Sequence, residues 1–125
     1  MIYVKSFRDL EVYKLAREVA KEIFILSKGF PVEEKYSLTD QIRRSSRSVG
    51  AQIAEAWGKR KYEMHFISKL TDADSEQLET QHWIEVSEEC NCINSETSKN
   101  LLQKSESIGK MLQSMIDKSY TFCKK

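Results

Sequence analysis

The stretch Leu38-Thr39-Asp40-Gln41-Ile42-Arg43-Arg44-Ser45-Ser46-Arg47-Ser48-Val49-Gly50-Ala51-Gln52-Ile53-Ala54-Glu55-Ala56-Trp57 places apolar or small residues at positions 38, 42, 45, 46, 49, 53 and 56. That spacing lays them along one side of a 3.6-residue helix. Small side chains dominate it (Ser45, Ser46, Ser48, Gly50, Ala51, Ala54, Ala56), so a neighbouring helix is expected to approach closely. Gly50 inside a helix costs roughly 1 kcal/mol against Ala, and close packing is the expected compensation.

Working outward, Glu33 and Glu34 suit a first turn after Pro31, so this helix is predicted over about 33–57. The preceding helix is predicted over about 7–28, capped by Ser6 with Asp9, with Val12, Leu15, Ala16, Val19, Ala20, Ile23 and Leu26 inward. Lys14, Arg17, Glu18, Lys21 and Glu22 fall on its outer side, and Gly29 reads as its C′ residue. A third helix, about 62–91, has the weakest stripe: Phe66, Leu70, Ala73, Gln77 and Ile84. Trp83, Val86 and Cys90 project to roughly its opposite side, as in a helix buried twice, once by a second subunit. The fourth, about 95–121, turns Leu101, Ser105, Ile108, Leu112, Met115, Ile116 and Phe122 inward. The joins are short, which forces antiparallel neighbours. The expected fold is all-α, an antiparallel up-and-down four-helix bundle spanning 1–125 as one domain.

Composition agrees. Four Gly and one Pro are few for a turn-rich β fold, and no apolar run reaches the 18–20 or so residues needed to span a bilayer. Three cysteines (Cys90, Cys92, Cys123) with no framework spacing point to reduced thiols and a cytoplasmic location. The net charge of +1 hides a division: residues 1–61 sum to +5 and residues 62–125 to −4. The stretch 72–96 holds eight acids and no Lys or Arg, whereas 43–61 holds Arg43, Arg44, Arg47, Lys59, Arg60 and Lys61 against Glu55 alone. Such segregation suits binding to copies of itself or to a polyanion.

Catalytic and metal signatures are poor, and no cofactor is implied. Glu79-x-x-His82 has the spacing of one di-iron ligand pair, but His65 has no Glu three residues before it to make the second. A solvated or interfacial histidine is the simpler account. Cys90-x-Cys92 lacks the four closely spaced ligands of structural zinc, and nothing marks a nucleophile with its base. The basic residues are the better lead. Arg43 and Arg47 share a helix face, and Lys59-Arg60-Lys61 sits at a turn between Trp57 and Tyr62, rings able to stack on unpaired bases. The plainer reading is a solvated charge run with weak surface ion pairs.

A wider pattern runs through the chain: Phe7-x-x-Leu10 with Ala16, Phe30-Pro31-x-x-Glu34-x-Tyr36-x-Leu38-x-x-Gln41-x-Arg43-Arg44, then Ser48 and Ile53-Ala54-Glu55. It continues through Phe66 with Leu70, Asp72-Ala73-Asp74, and Glu79-Thr80-Gln81-x-Trp83. In order and spacing this resembles the bacterial four-helix-bundle family named after proteins encoded in 23S rRNA intervening sequences. Where that family usually reads Asn-Ile-Ala-Glu-Gly, this chain has Gln52-Ile53-Ala54-Glu55-Ala56. The resemblance implies protomers closed into a ring, a pentamer. It also implies kinship with the accessory bundle of diversity-generating retroelements, which binds nucleic acid and a reverse transcriptase.

The expected function is therefore a non-catalytic, homo-oligomeric scaffold or adaptor, with Arg43, Arg44, Arg47, Lys59, Arg60 and Lys61 facing RNA, DNA or a nucleic-acid-binding protein. Trp83, Val86 and Cys90 are expected at the contact between copies. The alternatives are a purely structural or protein-interaction bundle and, last, a metal-binding bundle enzyme.

Overall fold

A computed structural model describes residues 4–123, so the first three and last two positions of the expected 1–125 domain lie outside the described residues. Four helices run α1 (Glu11–Ser27), α2 (Asp40–Gly58), α3 (Glu63–Glu89) and α4 (Ser95–Asp117). Each packs on its neighbour in the chain and α1 closes back on α4, with the α2–α3 seam the most extensive. This is the antiparallel up-and-down bundle expected from the short joins.

One core threads all four helices. Val12, Ala16, Val19 and Ile23 of α1 meet Ile42, Val49, Ile53 and Ala56 of α2, with Phe66, Leu70 and Ile84 of α3 and Leu101, Ile108 and Leu112 of α4. The predicted stripe of the second helix is buried throughout, as are Gln77 and Ala73 of the third. Leu15, Ala20 and Leu26 are half-buried at the rim. The third helix looks weak in sequence because part of its buried side is polar. Thr80 Oγ1 donates to Ser45 Oγ at 3.0 Å, and Ser87 Oγ to the Trp83 carbonyl at 2.8 Å. Gln81 Nε2 donates to Gln77 Oε1, whose own amide nitrogen donates to Asp74. These bonds satisfy polar groups that would otherwise be costly to bury.

The ends of the helices depart from expectation in several places. Ser6 caps only a 3-10 turn, Phe7–Asp9, by accepting from the Arg8 backbone N–H, and α1 proper begins at Glu11. Gly29 is not a left-handed cap. Lys28, Gly29 and Phe30 instead donate to the carbonyls three residues back, which satisfies the end of α1 by tightening it before Pro31. The second helix is preceded by a 3-10 turn, Val32–Glu34, and a π-helical turn, Lys35–Thr39. The fourth ends at Asp117, followed by a 3-10 turn, Ser119–Thr121. Among the described residues the left-handed one is Asn91, with φ 60°, at the end of α3. There Cys92 N–H donates to the Ser87 carbonyl at 2.8 Å and Asn91 N–H to Glu88 at 3.0 Å, the paired bonds of a Schellman termination. Asn94 then caps α4, its side chain accepting from Thr97 N–H at 2.8 Å.

Close approach is real, but at a different glycine. A Cβ on Gly50 would rest 3.6 Å from the Tyr13 ring, an ordinary contact. A Cβ on Gly109 would lie 2.9 Å from Gln77 Nε2, so it is α3 and α4 that exploit a missing side chain.

Candidate nucleic-acid interface

Phe24 of α1 is half-buried at the α1–α2 seam, one turn before Lys28, and three cations gather round its ring. Lys28 Nζ and the Arg43 guanidinium each stand 4.8 Å from the ring centroid, and the Arg47 guanidinium 5.2 Å. Arg43 is held further by Nε donating to Ser27 Oγ at 2.7 Å, while Ser27 Oγ donates to the Phe24 carbonyl. The negative face of the ring offsets part of the mutual repulsion, each contact being worth roughly 0.5–1 kcal/mol when exposed. Among the described residues, no carboxylate comes within ion-pair distance of Lys28, Arg43 or Arg47.

The same face continues along α1. Arg17 Nη1 donates to the Tyr13 hydroxyl at 2.8 Å and lies over that ring, and Tyr13 in turn meets the edge of Phe7. Between α1 and α2 runs an open groove of about 760 Å³, with Ala16, Ala20, Gly50, Ala51 and Ala54 on its floor and Arg17, Lys21 and Arg47 along it. Arg17 and Lys21, expected on the outer side of α1, are exposed there and border the groove. Phe24 received no role, because it is the fold that brings α2 beside it.

The six predicted cations do not form one patch. Arg43 and Arg47 stay together as their four-residue spacing requires, whereas Arg44 points the other way. Its Nη2 meets Glu79 Oε2 at 2.6 Å and its Nη1 lies 3.7 Å from Glu76 Oε1, so α3 neutralises it within the subunit. Lys59, Arg60 and Lys61 lie past the end of α2, which itself ends about 17 Å beyond Arg47 at 1.5 Å per residue. Arg60 is fixed there: Nε donates to the Trp57 carbonyl at 2.8 Å and its guanidinium lies 3.6 Å from the indole centroid. Lys59 and Lys61 are exposed, the latter over Tyr62.

Trp83, Val86 and Cys90 share one side of α3, as their spacing requires, but differ in exposure. Trp83 is half-buried, packs at the edge of the core, and donates from Nε1 to Glu79 Oε2 at 3.0 Å on the side where α3 faces Arg44. It is neither inside the protomer nor bare. Val86 is half-buried and Cys90 exposed. The apolar residues most open on α3 are Met64, 73% exposed, and Leu78, 55% exposed, neither of which sequence reading singled out. The Trp83 hydrogen bond, above all, holds the Glu79 carboxyl below its ordinary range; burial pushes the other way, and the hydrogen bond and charge of Arg44 lower it further. Glu79 is thus engaged with Arg44 and Trp83, and His82 is exposed with its ring against Trp83. Among the described residues no three His, Cys, Asp or Glu side chains group as a metal site requires. No described helix is long and apolar enough to cross a membrane.

No curated protein matches the chain. Among solved structures, the crystal structure at 1.70 Å of a protein of unknown function from the S23 ribosomal protein family of Bacteroides thetaiotaomicron VPI-5482 is similar, at 34% identity and a TM-score of 0.75. The match covers 84% of this chain and 97% of that one. The family model described as 23S rRNA-intervening sequence protein matches residues 8–114, which takes in all of α1, α2 and α3, most of α4 and the whole basic face. The chain therefore belongs to the 23S rRNA-intervening sequence protein family.

Proposed function

We propose that the protein is a non-catalytic, homo-oligomeric scaffold or adaptor of the cytoplasm that holds nucleic acid on the basic face of α1 and α2. The observation that carries this reading is the ring of Lys28, Arg43 and Arg47 about Phe24 without a carboxylate partner among the described residues. Elsewhere the chain pairs its interhelical cations: Lys69 with Glu55, Lys104 with Glu18 and Glu22, Arg44 with Glu76 and Glu79. A phosphate backbone supplies the missing charge, and each phosphate neutralised releases counterions.

Self-association is supported by the opposite face. Leu78 of α3 is exposed, and Glu85 and Glu89, seven and eleven residues on, are exposed along the same side of the helix. Heterologous contacts between such a face and a basic one close into rings, and the pentamer is the ring implied by the family resemblance. A ring repeats the basic face, so a near-neutral subunit gains avidity for a long polyanion. The second reading, a protein-interaction bundle without nucleic acid, uses the same acidic and basic faces for protein partners alone.

The test is the mass of the native assembly before and after nuclease treatment, followed by gel shift across a salt series. A multiple of 14.6 kDa that binds nucleic acid less tightly as salt rises supports the proposal. A lone 14.6 kDa species, or no salt-sensitive binding, sinks it.

A further inference from the structure

The α1–α2 groove is the wrong shape for phosphate alone. Its lining includes Ala16, Ala20, Ala51, Ala54 and Gly50, beside four cations that run along it. A phosphate pushed onto the alanine and glycine part of that lining would lose water and gain no donor from it. A nucleobase has apolar faces that the floor accepts, and its sugar-phosphate stays among the cations. The volume of about 760 Å³ lies within the roughly 300–1,000 Å³ of ligand clefts. Two guanidinium groups are held against rings there, Arg17 on Tyr13 and Arg47 on Phe24, and guanidinium planes stack on unpaired bases. The carboxylate that lines the groove, Glu18, is engaged by Lys104 at 2.9 Å and so repels an incoming strand less.

We infer that this groove seats unpaired bases, so that the nucleic acid held on the α1–α2 face is a single strand rather than a duplex. The inference rests on the nucleic-acid reading above and narrows it. A duplex keeps the faces of its bases stacked inside and offers phosphates, sugars and polar base edges, which leaves the apolar lining unused.

The experiment compares the full chain's binding to labelled 20-nucleotide oligo(U) and oligo(dT), to a mixed-sequence 20-base-pair duplex, and to inorganic polyphosphate at one salt concentration. The variant is Ala51→Leu. Position 51 is exposed on α2, so leucine fills the groove without altering charge or core, and circular dichroism checks the fold. Wild type is expected to favour a single strand over duplex by at least tenfold. Ala51→Leu is expected to lose that preference while keeping its affinity for duplex and polyphosphate. Equal affinity for single strand and duplex overturns the inference, as does an unchanged preference in Ala51→Leu. So does an Ala51→Leu protein that alters only the mass of the assembly, which would seat a second copy in the groove. Failure to bind any of these polyanions overturns the nucleic-acid reading itself, a separate outcome.

Discussion

The indole N–H of Trp83 and the carboxylate of Glu79, one helical turn apart on α3, form a hydrogen bond of 3.0 Å. The same oxygen receives Arg44 from α2 at 2.6 Å, so one carboxylate orients a tryptophan and joins two helices. Its pKa is lowered by these partners. The stabilisation is therefore complete above the ordinary glutamate value of 4.5 and is lost as pH falls through the lowered one. In a Trp57→Phe background, Trp83 emission is expected to shift only in that acid range. Glu79→Gln should abolish the shift, and Trp83→Phe should move the Glu79 titration back towards 4.5 by NMR.

Arg44 and Arg47 are three residues apart and are expected to behave as opposites. Arg47→Ala should weaken oligonucleotide binding and reduce the slope of log affinity against log salt by about 1, as for one lost phosphate contact. Arg44→Ala should leave that slope alone and cost up to about 1 kcal/mol of stability, since its partners belong to its own subunit. Titration at four salt concentrations, beside urea unfolding, separates the two.

The two interior glycines should respond with opposite signs. Gly50→Ala has room beside Tyr13 and should gain about 0.5–1 kcal/mol in urea unfolding from helix propensity. Gly109→Ala forces the Gln77 amide to shift away from its bonds to Asp74 and Gln81, which outweighs the helix-propensity gain, and should lose up to about 1 kcal/mol.

The α3–α4 turn depends on two asparagines with different tasks. Asn94→Ala removes the side-chain acceptor for Thr97 N–H and is expected to cost about 1 kcal/mol. Asn91→Val places a β-branched residue in the left-handed region and is expected to cost about 1–2 kcal/mol. Thermal unfolding of both variants checks these values, and Asn91→Gly should show no loss.

The bundle was legible because its signal is local: Val12 to Ile23, Leu38 to Ala56 and Leu101 to Met115 repeat at helical spacing whatever their neighbours do. The third helix was harder because Thr80, Gln77 and Ser87 are buried polar residues whose partners lie within α3 or across on α2, which spacing cannot reveal. For the same reason Gly50 drew attention that belonged to Gly109. Half of the site was visible. Arg43 and Arg47 share a face by arithmetic, but the turning of Arg44 towards Glu79 and the arrival of Phe24 and Lys28 beside them are long-range pairings. Trp83 shows the limit most clearly: spacing puts it one turn from Glu79, but not that Arg44 of α2 closes on the same carboxylate.

Three like charges held about one ring oppose one another whenever nothing sits among them. Arg43 cannot easily swing clear, because Ser27 holds its Nε. Any anion that settles there relieves this internal opposition as well as making contacts of its own. The folded chain is in this sense tuned to be firmer when occupied than when empty, and its melting temperature should rise further in phosphate than in chloride of equal ionic strength.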